Sequence, residues 1–282
     1  MLRKLCVCLI LLVSLFGCAD DREVRTIHVN GVDIGYRIMG QGEPLLMIMG
    51  YGGTMDAWDP VLVSELARNW QVILFDNRNV GFSSTSPEAV TISLMARDSL
   101  GLLEGLGIES AHVLGWSMGS VIAQEMALSQ PDSIRKLVLY GSAFEREPVM
   151  EALKRFDGLT SEEFAAMLFP KSWADRNSDI YSRLPVSALP ATPEAINRQR
   201  QALALWDGSG DRLSGLDKDV LLVVGEADKI TPLDQSLKMA GMIDGAWLVR
   251  FKGAGHWLMY QAPEGVASVV HDFLGDRQDL LY

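Results

Sequence analysis

Outside one central stretch, the chain alternates short apolar runs with longer amphipathic ones. Val24–Val29 and Val32–Met39 alternate apolar and polar positions on either side of Asn30-Gly31. An Asn-Gly pair tolerates the positive φ angles of a tight turn, so this stretch predicts a β-hairpin. Pro44–Met49 is apolar throughout, as a strand buried on both faces requires. Val72–Phe75, Val113-Leu114, Leu137–Leu139, Val220–Val224 and Trp247–Phe251 repeat that pattern. Ile92, Met95, Leu102, Leu103 and Leu106 recur at helical spacing and share one face. Short buried strands alternating with helices predict the α/β class: a mainly parallel sheet covered on both sides, with the hairpin as an antiparallel edge.

From Glu145 to Lys218 the strand signal stops. Helical patches at Val149–Phe156, Ser161–Leu168 and Pro193–Leu205 are separated by Pro170, Pro185, Pro190 and the glycines at 208 and 210. A stretch of this length is too long for an ordinary connection and reads as a helical insertion that covers a site. The expected organisation is a core built from residues 24–144 and 219–282, with residues 145–218 inserted in it.

The first residues read differently. Arg3 and Lys4 precede Leu5–Phe16, an apolar run of 12 residues. That is short of the roughly 20 residues that span a bilayer, and it has the build of a secretory signal. Leu15-Phe16-Gly17-Cys18 resembles the lipobox of bacterial lipoproteins, in which the Cys is lipidated and becomes the mature N-terminus. Residues 1–17 are then a signal peptide and residues 18–23 a tether. The cysteines are Cys6, Cys8 and Cys18, so cleavage before Cys18 leaves a single thiol with no disulfide partner, which lipidation would account for. The expected location is a bacterial membrane, lipid-anchored through Cys18 and facing the periplasm or the cell exterior.

Composition narrows the partners. With 48% hydrophobic residues, 22% charged and 26 glycines in 282, the chain is neither a disordered tail nor a collagen-like repeat. A net charge of −11 argues against nucleic-acid binding, which needs clustered Lys and Arg. No Cys-x-x-Cys or metal-ligand cluster remains after the leader, so neither metal nor cofactor is expected.

The candidate chemistry lies at strand ends. Gly115-Trp116-Ser117-Met118-Gly119 follows an apolar strand and precedes the helical run Val121–Leu128. This is the strand–turn–helix setting of a G-x-S-x-G nucleophile elbow, where a strained turn lifts the serine hydroxyl above the sheet. A serine hydroxyl needs a base. Of the four histidines, His28 lies in the hairpin, His112 at the far end of the strand before Ser117, and His271 in the last helix. His256, in Gly253-Ala254-Gly255-His256 after the last strand, is at the end where such sheets hold ligands. The base needs a carboxylate, and Gly225-Glu226-Ala227-Asp228 ends another strand, offering Asp228 with Glu226 as its competitor.

The order Ser117, Asp228, His256 with the elbow identifies the chain, from about Val24 onward, as a member of the α/β-hydrolase superfamily of serine hydrolases. Met47-Ile48-Met49-Gly50-Tyr51-Gly52-Gly53 resembles the family's oxyanion loop, with Met49 where His is common. The resemblance implies an oxyanion hole from the backbone N–H groups of Tyr51 and Met118. Asp76-Asn77-Arg78-Asn79-Val80-Gly81-Phe82-Ser83 resembles an architectural turn of the family, Asn79 replacing a glycine. Residues 145–218 stand where the family inserts its cap. A serine at the elbow argues against relatives that use a carboxylate nucleophile, and the motif of proline iminopeptidases is absent. The implied function is a carboxylesterase acting on small or medium esters through an acyl-enzyme. The alternatives are hydrolysis of a lactone, a thioester or a carbon–carbon bond, acyl transfer to another acceptor, and a catalytically inactive binding lipoprotein. Trp116, Met118, Tyr51, Met55 and Trp58 beside the chemistry, with Phe164, Phe169, Trp173 and Trp206 in the cap, are candidates for an apolar acyl pocket.

Overall fold

The computed structural model describes residues 23–275; the expected leader and Cys18 lie outside the described residues. The hairpin comes first, as β1 (Arg25–Val29) and β2 (Val32–Met39) around Asn30 and Gly31, both at positive φ. Then follow β3 (Glu43–Ile48), α1 (Pro60–Leu66), β4 (Trp70–Phe75), α2 (Ile92–Gly105), β5 (Ala111–Trp116), α3 (Met118–Ser129) and β6 (Ile134–Tyr140). Several strands start earlier than their apolar runs, because a polar residue interrupts the pattern near the start: Gln71 in β4, His112 in β5, Arg135 and Lys136 in β6.

Between β6 and β7 the described residues are helical: α4 (Arg146–Lys154), α5 (Ser161–Leu168), α6 (Lys171–Ala174), α7 (Ile180–Arg183), α8 (Pro193–Ala204) and α9 (Gly210–Leu213). Local chemistry starts the longer ones. Thr160 and Glu163 form a reciprocal capping box on α5. Pro193 opens α8, where the Thr192 hydroxyl accepts the Ala195 N–H at 3.2 Å. The core resumes with β7 (Asp219–Gly225), α10 (Leu233–Met242), β8 (Trp247–Phe251), α11 (Leu258–Gln261) and α12 (Pro263–Leu274). No helix among the described residues is long and apolar enough to cross a membrane.

One eight-stranded sheet runs β1-β2-β4-β3-β5-β6-β7-β8. The pairs β1/β2 and β2/β4 are antiparallel and the other five parallel. The two-residue side-chain period divides β3 between two cores. Leu45 and Met47 pack with Leu62 and Leu66 of α1 and Val266 and Val270 of α12. Leu46 and Ile48 pack with Met95 and Leu102 of α2 and Val121 and Ile122 of α3. Both faces are therefore covered, and functional groups collect where the parallel strands end.

The turn after β4 braces that end of the sheet. Arg78 is fully buried, with its guanidinium bound to Asp98 of α2 (2.7 Å from Nη2 to Oδ1) and to Ser86 (3.0 Å). Asn79 adopts φ +70, a conformation asparagine tolerates almost as well as the glycine it replaces. Gly81 has no such latitude, since a Cβ there would sit 2.1 Å from the Asp76 carboxylate. Asp76 accepts the Met55 N–H at 2.7 Å and the Phe82 N–H at 2.8 Å while being almost wholly buried. Burial pushes its carboxyl up to about 6, against the opposing pull of those two bonds.

A carboxyl raised in this way stabilises the fold fully below its ordinary range, and that contribution fades as pH rises through about 6. Replacing Asp76 by Asn removes the titration whatever else it does to stability. Urea unfolding of parent and Asp76→Asn should therefore show the difference between them shifting by about 2 kcal/mol in favour of the variant from pH 4 to pH 7. A difference independent of pH would contradict this assignment.

Candidate active site

Ser117 sits between β5 and α3 at φ +55, ψ −120. The other non-glycine residues at positive φ among those described are Asn30 and Asn79, which tolerate it; a serine there is held against its preference. The holding bonds are the Ser117 N–H to Tyr140 O at 2.9 Å and the Ser120 N–H to Ser117 O at 2.9 Å. The flanking glycines answer to steric limits. A Cβ on Gly119 would lie 2.0 Å from Ile48 O, and one on Gly115 would lie 2.3 Å from Gly119 O. Helix and strands meet too closely at this point for any side chain.

His256 follows β8, and its Nε2 lies 2.9 Å from Ser117 Oγ. Its Nδ1 lies 2.8 Å from Asp228 Oδ2. With Nδ1–H donated to the carboxylate, Nε2 is free to accept from the serine hydroxyl. Asp228 is fixed by three further bonds: Oδ1 accepts the Ile230 and Thr231 N–H groups at 2.8 and 3.0 Å, and Oδ2 accepts the Thr231 hydroxyl at 2.9 Å. The histidine loop is anchored through its backbone. The His256 carbonyl accepts from Trp116 Nε1 at 3.2 Å and from the Tyr140 hydroxyl at 2.9 Å, and that hydroxyl in turn accepts the Met259 N–H at 2.9 Å. Burial pushes the Tyr140 hydroxyl far above its ordinary value, so it stays a donor. Both side chains of the His256–Asp228 pair are almost completely buried.

The loop after β3 lies across the elbow. A Cβ on Gly50 would meet the Trp116 ring at 2.9 Å and Ser117 Cβ at 3.1 Å. The Gly53 N–H closes a turn onto Gly50 O at 3.2 Å, with Gly52 at φ +71. Met49 is fully buried, packed against Gly53, and its carbonyl accepts from Asn77 Nδ2 at 3.3 Å. Tyr51 and Met118 line one cavity with Ser117 and His256. Met118 opens α3, and first-turn N–H groups have no partner within their own helix.

The walls of this cavity come from both core and insertion: Val121 and Ile230 from the core, and Val149, Leu153, Phe156, Phe164, Leu168 and Leu203 from the insertion. The centre of a water molecule has about 40 Å³ to move in. Of the four aromatics expected to line the pocket from the insertion, Phe164 alone does. Phe169 and Trp173 stack on each other at 5.2 Å and pack with the core cluster that contains Trp116, beside Trp257. Trp206 is buried against α3, its Nε1 donating to Glu125 at 2.9 Å. Met55 and Trp58 belong to the core around α1. Hydrophobic character in sequence does not say which of several cores a side chain fills.

The remaining candidates are elsewhere. His28 pairs with Asp33 at 2.7 Å in the hairpin. His112 meets Glu43 at 3.1 Å at the opposite end of β5. His271 accepts from Trp70 Nε1 at 2.9 Å. Glu226 faces Arg250 at 3.8 Å. Among the described residues no group of three His, Cys, Asp or Glu side chains is placed to hold a metal ion. The sequence reading missed Thr231, Tyr140 and Gln199. The spacing Asp228-x-x-Thr231 is the local signal for an Asp capping its own loop. Tyr140, at the end of β6, carries no local signal for its contact with the His256 loop. Gln199, on α8, accepts the Gly52 N–H at 2.7 Å across 147 residues, and no local pattern announces that.

Residues 43–263 match the model of the alpha/beta hydrolase fold family. A 2-hydroxymuconate semialdehyde hydrolase of Pseudomonas sp. (strain CF600) is 32% identical over 267 residues, covering 89% of this chain and 94% of that protein. A protein named as a carbamate hydrolase, RutD, of Azorhizobium caulinodans is 28% identical over 261 residues, covering 88% and 97%. Among solved structures, a thermophilic esterase from Thermogutta terrifontis superposes with a TM-score of 0.78 at 26% identity, covering 89% of this chain and 98% of that one. Joined to the geometry of the elbow, these matches place the chain in the alpha/beta hydrolase fold family, as a hydrolase.

Proposed function

We propose that the protein is a serine hydrolase of uncharged carboxylic esters, working through Ser117, His256 and Asp228. His256 Nε2 takes the proton of the Ser117 hydroxyl as the oxygen attacks the ester carbonyl. The N–H groups of Tyr51 and Met118 receive the oxyanion, as donors fixed before charge develops. His256 then protonates the departing alcohol, and water enters by the same roles to free the acid. Asp228 keeps Nδ1–H occupied and so holds the imidazole in the tautomer that accepts from serine. The observation that carries the reading is the continuous chain of contacts, 2.9 Å from Ser117 to His256 and 2.8 Å from His256 to Asp228, opening into a cavity.

The cavity lining supports an uncharged acyl group. No Lys, Arg, Asp or Glu side chain is among its wall residues. A substrate bearing a free carboxylate would lose its hydration there with no charged side chain in the wall to meet it. This weighs against the dienoate-type acids in the names of several relatives, such as the 2-hydroxy-6-oxo-6-phenylhexa-2,4-dienoate hydrolase of Comamonas testosteroni. Those relatives favour carbon–carbon hydrolysis as the second reading, and the same triad would serve it.

We also propose that the mature chain is anchored to a bacterial membrane through a lipidated Cys18 and faces the periplasm or the cell exterior. The support is the basic and apolar leader ending in Leu15-Phe16-Gly17-Cys18, with β1 starting shortly after it at Arg25.

Purified protein should hydrolyse p-nitrophenyl butyrate, and Ser117→Ala should lower kcat by about five or six orders of magnitude and abolish labelling by a fluorophosphonate. Equal turnover by parent and Ser117→Ala would sink the proposed nucleophile. The butyrate should exceed the p-nitrophenyl hemisuccinate in kcat/KM by about 100-fold or more; parity would return the carboxylate-bearing substrates to favour. For the anchor, expression of Cys18→Ser in a bacterial host should move the protein from the membrane fraction to the soluble one, whereas membrane association unchanged by the substitution would defeat it.

A further inference from the structure

The face of α8 that packs on the core carries Ala195, Gln199, Ala202 and Leu203, all buried. An amide at the centre of that stripe is an expensive choice unless its polar atoms are used. Gln199 is about 1% exposed. Its Oε1 accepts the Gly52 N–H at 2.7 Å, which fixes which end of the amide is oxygen. Its Nε2 is buried without a partner. The residue therefore leaves one donor unmet in order to supply one acceptor, and the N–H which that acceptor receives lies on the loop that covers the serine.

The loop geometry gives that bond a consequence. Gly50-Tyr51-Gly52-Gly53 is a four-residue turn closed by the Gly53 N–H on Gly50 O. Positive φ at its third residue marks a type II turn, whose central peptide lies one flip away from the type I arrangement. The Gly52 N–H belongs to that central peptide, so the bond to Gln199 selects the observed arrangement. The same turn fixes the Gly50–Tyr51 peptide, whose N–H is the oxyanion donor. The next residue of α8 reinforces the grip. Arg200, held by Asp157 at 3.0 Å, sits against the Tyr51 hydroxyl. Ile196, one turn earlier, touches the position a Gly52 Cβ would occupy, at 3.7 Å.

We propose that Gln199 is a positioning residue through which the helical insertion sets the oxyanion hole, so that the hole is fully formed only when α8 is seated on the Tyr51-Gly52 turn. This rests on the serine-hydrolase reading above. Gln199 touches no reacting atom; it acts through the Gly52 peptide. The insertion would then do more than wall the pocket, because displacing α8 would release the turn and reseating it would restore the donor.

The test uses the mature chain with two variants, Gln199→Leu, which keeps the bulk and removes the acceptor, and Gln199→Asn, whose shorter amide falls short of Gly52. Should the leucine variant fail to fold, the asparagine variant decides. With p-nitrophenyl butyrate, each folded variant should lose about 10-fold to 100-fold in kcat. KM should stay within about threefold of the parent, since only transition-state stabilisation is lost. Inhibition by butylboronic acid, which forms a tetrahedral adduct on serine, should weaken in step with kcat/KM, while inhibition by butyramide, a ground-state analogue, stays unchanged. A folded variant with parental kcat, or one whose loss lies in KM and in butyramide inhibition equally, would overturn the role of Gln199 alone. A parent inert toward both the ester and a fluorophosphonate would overturn the hydrolase reading and this inference with it.

Discussion

The structure turns on one unfavourable backbone conformation. Ser117 is held at a positive φ that a serine avoids, at a cost of about 1–3 kcal/mol. The surroundings impose it. Tyr140 of the neighbouring strand binds the serine N–H, the first turn of α3 takes its carbonyl, and Gly115, Gly119 and Gly50 let three backbone segments approach at distances no Cβ would allow. The result is a hydroxyl placed at the mouth of the sheet, beside a helix N-terminus where developing negative charge is favoured. The two glycines of the elbow motif are thus a record of how closely β5, α3 and the loop after β3 are packed.

The other parts of the site arrive because the sheet is parallel there. β3, β5, β7 and β8 all end at the same edge, so the loops that follow them meet although the residues are far apart in sequence. Each loop is then braced. The turn after β4 supports the loop after β3 through Asn77 and Asp76, and is itself pinned by the buried Arg78–Asp98 pair. The histidine loop hangs from Trp116 and Tyr140. Asp228 is caged by the backbone that follows it. The helices between β6 and β7 close the fourth side and line the cavity with apolar side chains.

Much of this was readable from the sequence, and the reasons are local. Buried parallel strands announce themselves as unbroken apolar runs, and Asn30-Gly31 specifies its hairpin within two residues. The elbow is visible because the steric demand falls on glycines within two positions of the serine. Asp228 and His256 stand out through their place after apolar strands. What stayed hidden is what depends on long-range packing. Nothing near Gln199 reports that its amide reaches Gly52, and nothing in Phe169, Trp173 or Trp206 tells which core each will fill. The starts of β4, β5 and β6 were blurred because polar residues there are tolerated, His112 being satisfied by Glu43.

The central claim is that a covalent acyl group passes through Ser117. Rapid mixing of the enzyme with excess p-nitrophenyl acetate, acid quenching within the first turnover and mass spectrometry of the digest test it without reference to steady-state rates. The account predicts a single added acetyl group, confined to the peptide that contains Ser117 and decaying as free acetate appears. Turnover of the ester with that peptide unmodified at every time point, or with the acetyl group on another residue, would contradict it.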